Sequence, residues 1–245
     1  MSTCNCPSLF RPGKIGNVEI RNRSVMPSMG LSSTVGGFVN DTCIRHYVER
    51  AKGGFGLICI EVTCIDAPLG LNTANMLRAD DDKYIPGLTK LASAIHAEGA
   101  KCVLEISHTG RGAKREIIGG PSPIAMPMFY VIGVERETPR ELTIPEIEAI
   151  EDKYAEGAYR AKLAGFDGVE IHATGYYLCV QFLGRDSNKR TDKYGGSAEN
   201  RFRFVENIIN KVRAKCGEDF AILVKPSLFS GTGITIDDGK YYVKR

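Results

Sequence analysis

The 245-residue chain contains no apolar run approaching the roughly 18 residues that a bilayer-spanning helix requires. Its opening stretch, MSTCNCPSLFRPG, lacks the charged start, apolar middle and small-residue cleavage site of a secretion signal, so a cytoplasmic location is expected. Lysine and arginine number 32 against 29 aspartates and glutamates, a formal charge of only +3. No cluster concentrates that excess, and neither a nucleic-acid partner nor a membrane surface is expected. The eight cysteines lack Cys-x-x-Cys spacing, since Cys4 and Cys6 are too close and Cys59 and Cys64 too far apart. No zinc or cluster framework is visible in this spacing, and reduced, mostly structural thiols are expected. With 43% hydrophobic and 25% charged residues, the composition excludes disordered, collagen-like or heptad-dominated chains and implies a packed core.

What the chain does have is an alternation of two patterns. Residues 56–61 (GLICIE), 101–107 (KCVLEIS), 167–172 (DGVEIH) and 221–227 (AILVKPS) are short apolar runs rich in branched side chains, and read as buried strands. A fifth, 24–29 (SVMPSM), is weaker because Pro27 removes a ladder donor. Between them lie helical stretches. Asp41 is the expected cap of a helix to Lys52, ended by Gly53-Gly54, and 83–98 forms another, stopped by Gly99. Thr143-Ile-Pro-Glu146 fits a capping box opening a helix to about Ala164, and Ser197 opens one to about Cys216. A last helix begins near Ile236, after a turn through Gly231 and Gly233.

Strand and helix in alternation mean parallel strands with right-handed crossovers, in a β/α barrel or a doubly wound sheet. Strand starts at 24, 56, 101, 167 and 221 lie about 49 residues apart on average, longer than a plain βαβ unit of roughly 30 residues. The extra length falls after strands, where a barrel builds its active site, which favours an elaborated barrel enzyme. Eight such units would need roughly 390 residues, and five strands are found in 245 residues.

The densest stretch is 167–203, DGVEIHATGYYLCVQFLGRDSNKRTDKYGGSAENRFR. His172 ends a strand and Tyr177 follows five residues later. An imidazole can hold a substrate carbonyl by a hydrogen bond and a phenol can deliver a proton. Each can equally be ordinary structure, His172 as a satisfied strand-end histidine and Tyr177 as packing.

This stretch resembles the old yellow enzyme family of NADH:flavin oxidoreductases, which carry H-x-x-H/N-x-Y, then L-x-x-x-F-L, then N-x-R-x-D-x-Y-G-G-S-x-x-N-R. Leu178, Phe182, Leu183, Asn188, Arg190, Asp192, Tyr194, Gly195, Gly196, Ser197, Asn200 and Arg201 fit in register. Leu9-Phe10, Asn22-Arg23 and the segment Ile106-Ser107-His108-Thr109-Gly110-Arg111 add to the likeness, which covers residues 8 to 240 and is closest to the dienoyl-CoA and 2-enoate reductase branch.

The resemblance implies an α/β chain folded as a (β/α)8 TIM barrel of flavin-oxidoreductase type. About the first five β/α units are expected within one domain, residues 1–245, with strands six to eight absent. It implies FMN as cofactor, NAD(P)H as electron donor, and a small-molecule enone or enoyl substrate whose C=C bond is reduced. Hydride passes from the cofactor to the β-carbon, which is cofactor rather than protein chemistry. By position, His172 holds the carbonyl and Tyr177 protonates the α-carbon. Pro27, Ser28, Met29, Gly30 and Val62 line the flavin.

Three positions depart from the family pattern. The second carbonyl-binding residue falls at Gly175, which has no side chain, unless the Tyr176-Tyr177 doublet shifts the register. The glutamine on the flavin pyrimidine edge is Glu105, a carboxylate unfavourable beside an anionic reduced flavin. The arginine opposite flavin N1 is Lys225, which keeps the charge but not the planar fork, and which could offset Glu105 if adjacent. The family's phosphate-binding loops follow its seventh and eighth strands, which were not found.

A five-strand section exposes apolar edges, so a completing C-terminal segment or a second copy of the chain is a further expected partner. The alternative is a non-catalytic or partner-completed barrel fragment acting through that edge. An aldolase using Lys225 as a Schiff-base lysine does not account for the motif. A metal hydrolase using His108 and His172 lacks ligand spacing.

Overall fold

The structure is a computed structural model describing residues 6–112, 119–125, 138–227 and 233–244. The strands are β1 (Gly13–Ile15), β2 (Val18–Ile20), β3 (Val25–Met26), β4 (Leu57–Cys64), β5 (Leu77–Arg78), β6 (Lys101–Ser107), β7 (Gly119–Gly120), β8 (Arg140–Glu141), β9 (Gly168–Ala173) and β10 (Ala221–Pro226). The helices are α1 (Asp41–Lys52), α2 (Ile85–Ala97), α3 (Ile144–Leu163), α4 (Leu178–Leu183), α5 (Ala198–Cys216) and α6 (Ile236–Lys244).

The five expected strands form one parallel sheet in the order β10-β9-β6-β4-β3, with β5 added beside β4. Long crossovers carrying α1, α2, α3 and α5 join them, as parallel pairing requires. This is the barrel architecture that the alternation implied. Pro27 confines β3 to two residues, in keeping with its missing donor.

Helix ends follow local chemistry, with one correction. Asn40, not Asp41, caps α1, its side-chain oxygen accepting from Cys43 N at 2.9 Å, and Asp41 is the first helical residue, where its charge suits the positive helix end. Thr143 and Glu146 form the expected capping box of α3, and the Ser197 hydroxyl accepts from Asn200 N to start α5. The 83–98 helix is a short 3-10 turn at Asp82–Tyr84 followed by α2. The β1–β2 hairpin was not foreseen, because two three-residue strands carry too little alternation to register. Gly231 lies outside the described residues.

Successive side chains on a strand face opposite ways. Ile58, Ile60, Cys102, Leu104, Ile106, Val169 and Ile171 join the helices in the main core. The alternate positions Leu57, Cys59 and Val103 form a second apolar cluster with Ile20, flanked by Ile15 of the hairpin and Leu223. Further along that second face the residues turn polar: Glu105, Glu170, His172 and Lys225. The hairpin thus closes the N-terminal end of the interior, and the polar layer lies toward the C-terminal end, where barrel enzymes keep their chemistry. Six buried cysteines, Cys43, Cys59, Cys64, Cys102, Cys179 and Cys216, are free thiols.

Candidate active site at the strand ends

Sheet register brings the polar layer together: Glu105 lies opposite Glu170, and Lys225 opposite His172. The Lys225 ammonium contacts Glu105 Oε1 and donates to Ser28 Oγ at 2.7 Å. Ser28 in turn donates to Glu170 Oε2 at 2.6 Å. The adjacency on which compensation of Glu105 depended is therefore present. Burial raises the Glu105 carboxyl above its ordinary range, and the Lys225 ammonium pulls it back. Glu170 was not singled out in the sequence, although period-two alternation from His172 points to it.

The His172 and Tyr177 rings meet edge-on, centroids 4.3 Å apart. Burial first, and then the Lys225 charge, brings the imidazole down to about 3, so it is neutral at ordinary pH. Its Nδ1 is buried without a hydrogen-bond partner among the described residues. Asn72, on the loop after β4, donates through Nδ2 to the Tyr177 hydroxyl oxygen at 2.7 Å. Asn72 belongs to no motif, so nothing in one-dimensional spacing marks it. Of the tyrosine doublet, Tyr177 is the one packed against His172, while Tyr176 is buried and offers its carbonyl to Gln181. Gly175 has φ +64, a backbone that side chains resist, so the missing second donor coincides with a turn suited to glycine.

The loop after β3 is held from beneath. Glu61 is fully buried, and its Oε2 accepts from Leu31 N at 2.7 Å and Ser32 N at 3.2 Å. Ser32 has φ +49, a conformation those two bonds help to maintain. Ser28 points into the polar layer, whereas Pro27, Met29 and Gly30 are exposed. A Cβ on Gly30 would sit 3.7 Å from Val62 Cγ1, so Gly30 and Val62 adjoin.

The long motif proves to be scaffold. Asn188 Nδ2 donates to the Phe182 and Tyr194 carbonyls, each at 2.8 Å. Arg190 pairs with Asp192 and donates to the Pro121 and Leu142 carbonyls. A Cβ on Gly195 would strike the Arg190 carbonyl oxygen. Arg201 binds the Leu183 and Gly196 carbonyls and Asp238 of α6. Arg111 likewise serves structure, donating to Ile124 O at 3.1 Å. Between β6 and α3, residues 113–118 and 126–137 lie outside the described residues.

At the opposite strand ends, His96, Cys102 and Asp167 come together, a grouping unforeseen in the sequence. Asp167 Oδ2 accepts from His96 and Cys102 N, and Lys101 sits 2.8 Å from Oδ1. The lysine supplies the positive charge, so the group reads as a tie between α2, β6 and β9. An open cavity of about 480 Å³ beside it, lined by Asn17, Arg21, Lys101 and Asp167, lies far from the polar layer.

The residues of the polar layer fit a flavin. Glu105 offers an acceptor and Lys225 a cation of the kind a flavin pyrimidine edge would use, a Cβ at Gly30 would meet nothing nearer than 3.7 Å, and the buried His172 Nδ1 has no hydrogen-bond partner among the described residues. A parallel β/α barrel sheet with such a set at its strand ends is compatible with a flavin oxidoreductase. Residues 8–240 match the NADH:flavin oxidoreductase / NADH oxidase family, and the chain belongs to it. It is 44% identical over 244 residues to the NADH oxidase of Thermoanaerobacter brockii, covering 97% of this chain and 37% of that protein. Among solved structures, 2-naphthoyl-CoA reductase in complex with 2-naphthoyl-CoA has a TM-score of 0.90 at 32% identity, over 97% of this chain and 38% of that one. Old yellow enzyme from Pichia sp. AKU4542 has a TM-score of 0.83 at 30% identity, over 92% and 62%. The chain thus spans little more than a third of the first two relatives. Its family is that of the old yellow enzymes, oxidoreductases using flavin with NAD(P)H and small-molecule substrates. Among the described residues no helix is long and apolar enough to cross a membrane.

Proposed function

We propose that this chain is an FMN-dependent barrel domain reducing the C=C bond of an α,β-unsaturated carbonyl compound, an enone or enoyl derivative. The observation that carries the reading is the edge-on pair of His172 and Tyr177, 4.3 Å apart, at the strand end beside Glu105 and Lys225. FMN, when bound, supplies the hydride for the β-carbon, replenished from NAD(P)H.

The protein's own groups do the rest. Pro27, Ser28, Met29, Gly30 and Val62 would line the isoalloxazine, and Glu105 and Lys225 would meet its pyrimidine edge. Neutral His172 donates to the substrate carbonyl, holding the charge that develops on oxygen without itself changing charge. Tyr177 gives its proton to the α-carbon, and the Asn72 amide donates to the oxygen left behind. With Gly175 in the second position, one side-chain donor serves the carbonyl where the family pattern has two.

The test is to mix the chain with FMN, reduce it anaerobically with NADH or NADPH, and add 2-cyclohexenone. Reoxidation of the flavin that is lost in the His172→Ala and Tyr177→Phe variants supports the reading. Equal reoxidation in all three refutes it.

A second reading is a barrel section that acts through its edges. It is favoured by Val25 and Val224, 42% and 36% exposed on the two outer strands. Light scattering discriminates: a monodisperse monomer counts against it, and a second copy or a completing C-terminal segment seated on those strands supports it.

A further inference from the structure

The polar layer carries more negative than positive charge. Five titratable groups face one another there: Glu105, Glu170, Lys225, His172 and Cys59. Burial pushes the Cys59 thiol up to about 12 and holds His172 neutral, so neither contributes charge. Two carboxylates then stand against one ammonium. That ammonium is already engaged: it contacts Glu105, donates to Ser28, and lies 3.9 Å from Glu170 Oε2. The Ser28 hydroxyl also ends on Glu170. Among the described residues, each of these contacts of the lysine leads to a carboxylate, directly or through one serine.

We propose that Glu105 and Lys225 act as one charge-compensated unit against the pyrimidine edge of the flavin, so that the chain holds neutral oxidised FMN more tightly than the anionic reduced form. The proposal rests on the FMN reading above and concerns which oxidation state the site favours. A carboxylate accepts from the flavin N3–H in either state, which favours binding equally in both. Two-electron reduction with uptake of one proton leaves a negative charge at N1 and the neighbouring carbonyl. That charge would face Glu105 and Glu170 across a buried, weakly screening interior, opposed by a cation already spent on Glu105. By linkage, a site that binds the reduced form less tightly lowers the potential of the bound flavin. The exchange of neutral glutamine and free arginine for a glutamate–lysine pair thus makes a more strongly reducing flavin.

The experiment loads the full chain with FMN and measures its midpoint potential against reference dyes, a readout independent of turnover. In Glu105→Gln, which keeps the shape and frees Lys225, affinity for reduced relative to oxidised FMN should rise at least tenfold, about 30 mV for a two-electron couple. Glu105→Gln/Lys225→Arg should keep that gain, and guards against a single variant that folds poorly. Lys225→Gln should shift the ratio at least tenfold the other way. If wild type and both Glu105 variants, with unchanged circular dichroism, agree within twofold, the proposal is overturned while the FMN reading stands. If wild type shows no quenching of FMN fluorescence, the FMN reading fails first and the proposal with it.

Discussion

Asn72 and Tyr177, 105 residues apart in sequence, share a 2.7 Å hydrogen bond in which the amide Nδ2 is donor and the phenol oxygen acceptor. In this bond the phenol oxygen accepts, and the bond strengthens as that oxygen becomes negative. Asn72→Ala removes that help and should slow enone turnover about tenfold, the rate equivalent of one hydrogen bond of about 1.4 kcal/mol. Asn72→Asp, which places an acceptor against the phenol, should slow it further. Steady-state kinetics of the three proteins check both expectations, with kcat rather than KM carrying the loss.

Tyr177→Phe separates the two halves of the reaction. Reduction of bound flavin by NAD(P)H should proceed at the wild-type rate, whereas reoxidation by an enone should fall roughly 10²–10⁴-fold, the usual contribution of a positioned acid. Stopped-flow absorbance of each half-reaction gives the comparison.

His172 links the site to pH. Its folded value, about 3, lies below the ordinary 6.5, so the unfolded chain binds the extra proton between the two. Its contribution to stability is complete above about pH 6.5 and is lost progressively as pH falls toward 3. Urea midpoints measured from pH 7 to pH 4 should decline more steeply in wild type than in His172→Phe.

Asp238 ties α6 to the scaffold. It is 2% exposed and takes Arg201 Nη2 at 2.6 Å, both Arg185 donors, and Thr235 N. The arginines and the backbone bond hold its carboxyl well below the usual range, against the opposing effect of burial. Asp238→Ala leaves Arg201 buried without its anion and should cost about 3 kcal/mol. Chemical denaturation measures this, and Arg185→Ala, at a residue with a largely exposed side chain, should cost much less.

Elements whose signals are local could be read from the chain. The strands Leu57–Cys64, Lys101–Ser107 and Gly168–Ala173 are almost wholly buried, so their apolar runs stand out, and the capping box at Thr143 is written in four consecutive residues. Asn40 displaced Asp41 as cap because both side chains suit the role and only backbone geometry decides between them. Glu105 and Lys225 could be named from the family pattern, but their contact, and the Ser28–Glu170 bond beneath it, depend on sheet register between distant segments. Asn72 and Glu61 act through partners in other segments of the fold, which one-dimensional spacing does not encode.

The segment from Asn188 to Arg201 directs its bonds to backbone carbonyls, to its own neighbours and to the acidic side chains Glu148, Glu151 and Asp238. None of those bonds reaches His172, Tyr177, Glu105 or Lys225. The stretch by which the chain is most readily recognised thus reports ancestry of the framework, whereas, on the proposal above, the electronic character of a bound flavin would be set by a few replaceable side chains elsewhere. Relatives carrying the same fingerprint can therefore diverge in reducing power without any change to the part of the sequence that makes them look alike.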